Sequence, residues 1–210
     1  MKHFMITGAL LALTACGSMN KDNVVIDQLA GLVGLGPAPT PPKVPDIANA
    51  APGDLVMATL VNRQAVAAMT RIASNSGTDT YRSPGNTTIA LRDGIIIATR
   101  GLNDDLMGAD VSGVIAAMNA GGGTATRTHS YLDSLDGIRT LNLTCTITAA
   151  PPETITTLKG AQSTATFKEF CDSQQLSFTN TYWRDLTSGA ILQSQQAISP
   201  KAGYIVVNPL

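Results

Sequence analysis

Beyond residue 54, apolar side chains recur at every second position in short runs cut by turn residues, the pattern of strands with one buried face. Such runs occupy 55–61 and 66–72, although the alanines of 64–73 also suit a helix. Residues 87–92 and 95–100 flank Asp93-Gly94, a dipeptide that accepts the positive φ angles of a type I′ hairpin turn. A second hairpin is expected from strands 126–135 and 138–149 around Asp136-Gly137, and a third from 176–186 and 190–198 around Ser188-Gly189. Residues 112–119 read as a helical turn or two, closed by Gly121, Gly122 and Gly123. Hairpins with so little helix between them predict a mainly β fold: an antiparallel sheet rolled into a barrel-like or sandwich domain with few short helices.

In the second hairpin the alternation sorts side chains by face. Leu141, Leu143, Cys145, Ile147 and Ala149 share one side, which is expected in the core; Asn142, Thr144, Thr146 and Thr148 share the other. A two-residue turn sets Leu132 opposite Leu141 and leaves Arg127, His129, Tyr131 and Asp133 as a stripe on the polar side.

The N-terminus follows a different rule. Lys2 and His3 precede an apolar run from Phe4 to Leu13, too short for a span of about 20 residues but typical of a secretory signal. Leu13-Thr14-Ala15-Cys16 matches the bacterial lipobox, in which the Cys thiol takes a diacylglycerol, the signal is cut before it and the new amine is acylated. The alternative is an ordinary signal cut after Ala15 with a free Cys16. Three acyl chains hold a protein permanently, since one chain alone binds only marginally. Gly17 stands where an Asp favours retention in the inner membrane, so the periplasmic face of the outer membrane is expected. Residues 23–35 carry apolar positions at helical spacing, weakened by Gly31 and Gly34. Five prolines in 36–45 favour an extended, semi-rigid tether, with a loop wrapped on the domain as the alternative. The expected map is a signal at 1–15, a lipidated segment and tether at 16–53, and a β-rich periplasmic domain at 54–210.

Composition narrows the chemistry. Fourteen Lys and Arg against 15 Asp and Glu give a net charge of -1, with nothing to neutralise a row of phosphates, so nucleic acid is excluded as a partner. At 44% hydrophobic residues the chain is too apolar for overall disorder. With Cys16 assigned to lipid, Cys145 and Cys171 remain, and an oxidising compartment favours a disulfide between them. The chain lacks CxxC, HExxH, an EF-hand loop, Gly-x-Ser-x-Gly and the Walker and dinucleotide fingerprints, so no catalytic set, metal site or cofactor is assigned. The candidates for glycan or partner contact are Arg100, Asp104 and Asp105, which with Asp110 form a polar cluster suited to a cation or sugar or else a polar loop with an ion pair, His129, Tyr131 and Asp133 along the stripe, and Tyr182 with Trp183, whose ring faces suit a sugar. A lone His on a strand is more often structural than a general base, and one Trp near a hairpin is more often core. Adjacent Asp104 and Asp105 point apart in a strand, against the facing carboxylates that a glycosidase needs.

Taken together, the lipobox, residues 94–107 (GIIIATRGLNDDLM), 127–133 (RTHSYLD) leading to Leu143-Thr144-Cys145, and Tyr182-Trp183 followed by 193–200 (QSQQAISP) and Gly203-Tyr204 resemble the YjbF/GfcB lipoproteins of group 4 capsule and exopolysaccharide production. The resemblance covers about 54–207. It implies a β-rich periplasmic domain on the outer membrane beside polysaccharide export proteins, and it brings no catalytic residues. Family members tend to carry Gly-x-Asp-Leu-Met where this chain has Asn103-Asp104-Asp105-Leu106-Met107, which questions any role resting on a tight glycine turn there.

Overall fold

The computed structural model describes residues 50–135, 137–157 and 160–210. The signal, Cys16, the 23–35 segment, the proline-rich tether and Asp136 lie outside the described residues. The described chain forms β1 (Leu55–Leu60), β2 (Ala65–Asn75), β3 (Thr78–Arg82), β4 (Thr88–Arg92), β5 (Ile95–Arg100), β6 (Gly108–Asp110), α1 (Ser112–Asn119), β7 (Gly123–Leu132), β8 (Ile138–Thr157), β9 (Gly160–Asp172), β10 (Ser177–Asp185), β11 (Ile191–Ser199) and β12 (Gly203–Pro209). A 3-10 turn at Val61–Arg63 follows β1.

All twelve strands belong to one antiparallel sheet in the order β5-β4-β3-β2-β1-β12-β11-β10-β9-β8-β7-β6. Strands consecutive in the chain account for every neighbour except β1 with β12, which joins the two ends of the meander in mid-sheet; β6 and β7 are connected through α1. The sheet rolls until it is nearly closed into a barrel, its seam between β5 and β6. There the Thr99 amide donates to the Leu106 carbonyl (2.8 Å). Helix α1 buries Val114, Ala117 and Met118, and its end is closed by Gly121–Gly123 at positive φ.

Asp93 and Gly94 take φ of 49° and 78° and join Arg92 to Ile95 in the tight turn that their residue types favour. The alanines of 64–73 fall in strand β2, because pairing of its first half with β1 and its second half with β3 outweighs their helix propensity. Strands β3, β6, β9 and β12 are additional to those the alternation predicts. β3 is a mostly polar run whose one buried residue is Tyr81. β8 continues past Ala149, itself exposed, because Pro151 and Pro152 sit at a register shift between Ala150 and Glu153 that absorbs their missing amide donors.

The largest correction is to the second hairpin. Leu132 pairs with Ile138 across a five-residue loop, so Arg127 faces Leu143 and His129 faces Leu141. That odd shift against the expected register turns the whole strand over: Arg127, His129 and Tyr131 lie inside, while Leu132 and Ile138 are exposed. Two apolar clusters fill the barrel. One gathers Val56, Met69, Ile89, Leu106 and Ile205; the other gathers Ile95, Val114, Leu143, Phe167 and Ile191.

Cys145 and Cys171 stand opposite each other on β8 and β9, fully buried in the second cluster, and are joined by a disulfide across 26 residues of chain. Cys145→Ser or Cys171→Ser is expected to lower stability by about 3 kcal/mol, the chain-entropy value for such a loop. The double variant should lose no more than either single one; additive losses in a denaturant titration would contradict the link.

Candidate functional site

Once β7 faces inward, its polar side chains need partners, and the neighbouring strands supply them. Arg127 Nη1 donates to both carboxylate oxygens of Glu169 on β9, at 3.0 and 3.1 Å, with both side chains wholly buried. Glu169 Oε2 also accepts from the Tyr182 hydroxyl (2.6 Å) and from Asn180 Nδ2 (2.7 Å) on β10. Arg127 Nε donates to His129 Nε2 at 2.8 Å, which places the imidazole proton on Nδ1. Nδ1 donates in turn to the Tyr131 oxygen (2.8 Å), and that hydroxyl donates to the Ile198 carbonyl (2.8 Å). Phe178 stacks on the imidazole with ring centroids 5.2 Å apart. Across the barrel, Gln196 accepts from the Ile96 amide (2.9 Å) and donates to the Gly94 carbonyl (3.0 Å).

Taking these ions out of water costs several kcal/mol each, and only full coordination offsets it. Burial opposes the Arg127 charge, but Glu169 and Tyr182 more than restore it, so its pKa lies above the ordinary value. Burial first, then the Glu169 charge, holds the Tyr182 hydroxyl well above the usual phenol range. Burial, followed by the Arg127 charge, pushes His129 down to about 2. His129 is therefore neutral with both nitrogens engaged, and it has no lone pair to offer as a general base. Cys145, Glu169 and Cys171 are close enough to share an ion, but the sulfurs are spent in the disulfide and the carboxylate is taken by Arg127.

One rim of the barrel lies over this network. Asn62 follows β1, Tyr131 is next to last in β7, Ser177 opens β10, and Ser199 and Gly203 bracket the turn from β11 to β12. Together with Phe178 and Tyr204 they line a cavity of about 210 Å³. Asp104 joins the rim: its carbonyl accepts from the Ser199 hydroxyl (2.8 Å), and its carboxylate accepts from the Lys201 amide (3.4 Å).

The other expected contact residues separate. Asp105 folds into its own loop, accepting from the Thr99 hydroxyl (2.8 Å) and the amides of Gly101 (2.8 Å) and Leu102 (3.2 Å). Arg100 donates to the carbonyls of Leu106 and Met107, both at 3.2 Å. These two residues thus brace the seam. Asn103 holds φ at 71°, making with asparagine the left-handed turn that glycine makes most easily. Asp133 closes its hairpin loop by accepting from the amides of Leu135 (2.8 Å) and Gly137 (2.9 Å). Tyr182 points inward, whereas Trp183 lies on the opposite face and donates to Glu153 at 2.9 Å. His129, Tyr131 and Tyr182 are therefore internal rather than on an outer polar face. Glu169, Asn180 and Gln196 escape the sequence reading; Glu169, between Phe167 and Cys171 at period two, was the visible sign of an inward charge.

The family model described as group 4 capsule polysaccharide lipoprotein gfcB, YjbF matches residues 40–210. Among solved structures, the hypothetical lipoprotein YmcC from Escherichia coli (K12) shares the fold at a TM-score of 0.65 and 20% sequence identity, over 74% of this chain and 82% of that one. No curated protein matches the chain.

The state of His129 makes stability depend on pH with a definite sign. The unfolded chain binds a proton below the ordinary histidine pKa of 6.5, and the folded chain does not until about 2. Its contribution is complete above the first value and drains as pH falls, approaching about 1.4 kcal/mol per pH unit. Denaturant titrations at about pH 6 and pH 5, above the range of most carboxylates, should show this slope. His129→Gln should flatten it, and an unchanged slope in that variant would assign the effect elsewhere.

Proposed function

We propose a role that starts from family membership: this chain belongs to the YjbF family of group 4 capsule polysaccharide lipoproteins. It is a lipid-anchored protein at the periplasmic face of the outer membrane that assists production or export of a capsule or exopolysaccharide, without catalysing a step. The family match over 40–210, joined to a lipobox ending at Cys16, carries this reading. Its partners are proteins of the polysaccharide export machinery, with the polymer itself as a transient contact.

The chemistry of the described residues supports a role without catalysis. The buried acid and base groups, Glu169 and His129, are saturated by one another's neighbours and closed to solvent. The carboxylates near the rim are occupied as well, Asp105 by its own loop and Asp104 by the turn from β11. A hydrolase or deacetylase acting on the polymer needs acid and base groups that face a substrate.

In the native host, Cys16→Ala should leave the precursor without radiolabelled lipid and lower surface polysaccharide. Normal labelling would overturn the anchor, and normal polysaccharide in a strain lacking the protein would leave only a general scaffolding role. Separately, polymer incubated with the purified protein should keep its length and acetyl content. Shortened or deacetylated chains would establish an enzyme instead.

A further inference from the structure

The rim cavity has a chemistry of its own. Tyr131, Phe178 and Tyr204 contribute aromatic side chains to its lining, and no Lys, Arg, Asp or Glu is among the lining residues. At about 210 Å³ it falls below the roughly 300 Å³ at which sites for drug-sized ligands begin, so it has room for one ring and not for a length of chain. An aromatic face carries partial negative charge and attracts the C–H edges of an apolar or sugar ring. A carboxylate entering this lining would lose water without gaining a cation, which disfavours an acidic sugar.

The polar groups of the lining divide into committed and uncommitted. The Tyr131 hydroxyl already donates to Ile198 and accepts from His129. The Ser199 hydroxyl donates to Asp104 and accepts from the Ala202 amide. The Tyr204 oxygen accepts from the Thr179 amide (3.4 Å) and keeps its own proton to donate. Ser177 and Asn62 have no side-chain hydrogen bond among the described residues, and both are exposed. Asn62 also lies so close to Gly203 that any Cβ at that position, held at φ 76°, would overlap its amide group. The free hydrogen-bonding groups are thus at the open side, and the inner wall is held in place. Tyr131 is fixed by two hydrogen bonds, and Phe178 by its stack on His129. A site whose inner wall is already ordered loses little freedom when a ligand arrives.

We propose that this cavity binds one neutral pyranose unit, the terminal or branch sugar of a glycan, packed against Tyr204 and Phe178 and hydrogen-bonded by Ser177, Asn62 and the Tyr204 hydroxyl. The inference rests on the polysaccharide reading above, and it names the part of a polymer that this protein recognises.

The test uses the full-length lipoprotein in detergent and four probes: the methyl glycosides of glucose, galactose, N-acetylglucosamine and glucuronic acid. In saturation-transfer NMR, at least one neutral glycoside should receive signal on its ring C–H protons, and the glucuronide should not. Tyr204→Ala should weaken that binding roughly tenfold, the scale of a lost ring contact. Ser177→Ala, at an exposed position that leaves the barrel intact, should weaken it as well, while Trp183→Ala should leave it unchanged. The proposal fails if no neutral glycoside binds, if the glucuronide binds equally, or if binding survives both Tyr204→Ala and Ser177→Ala. A strain lacking the protein decides the functional reading on its own. Reduced polysaccharide without sugar binding in vitro sinks only the cavity, and normal polysaccharide alongside sugar binding sinks only the role.

Discussion

The fold depends on an ion pair that has no access to water. Arg127 and Glu169 come from β7 and β9, and their remaining donors and acceptors are met by β7, β10 and, through Tyr131, β11. Eight strands make a barrel about as wide as its wall side chains fill, and a sheet of twelve strands is wider when rolled. The network spans that width and touches both clusters, through Phe178 on one side and Ile96 and Tyr131 on the other. Removing any one member leaves a buried polar group unmatched, so the network selects one arrangement of the walls more than it adds to their stability.

The seam follows from the same interior. β5 and β6 close the sheet order without a continuous ladder, and an open edge at β5 would expose unpaired amides and carbonyls. Gln196 takes the Ile96 amide and the Gly94 carbonyl, and Arg127 approaches the Ile96 carbonyl at 3.5 Å. Farther along, Arg100 and Asp105 brace the loop that crosses the gap. Side chains thus do at this edge what a neighbouring strand does elsewhere.

Much of this architecture was legible in the sequence because local chemistry wrote it there. Asp93-Gly94 specified its turn, the 112–119 helix ended at its glycines, and the Thr-rich face of β8 marked the solvent side. Strand β3 was hidden because it is nearly all polar, and the second half of β8 because it follows two prolines that a bulge accommodates. The face of β7 was misread for a subtler reason. Both of its faces are polar, Thr124, Thr126, Thr128 and Ser130 outside and Arg127, His129 and Tyr131 inside, so alternation does not disclose which one is buried. No single strand discloses the inner pairing either, because the partners of Arg127 lie 42 and 55 residues away. The polar seam loop was found as a cluster, but its residues serve closure more than contact.

The union of β1 with β12 has a temporal consequence. β1 is the earliest strand of the domain and one of its two neighbours is the latest, with the Gly53 amide reaching the Leu210 carbonyl and the Leu210 amide reaching Leu55. A chain emerging from its N-terminus onward cannot complete the ladder of β1 until residues near 210 have appeared. Contacts this remote in sequence make folding slow, because the intervening loop must close before any pairing energy is gained. The barrel therefore forms only after the final strand is free to dock beside the first.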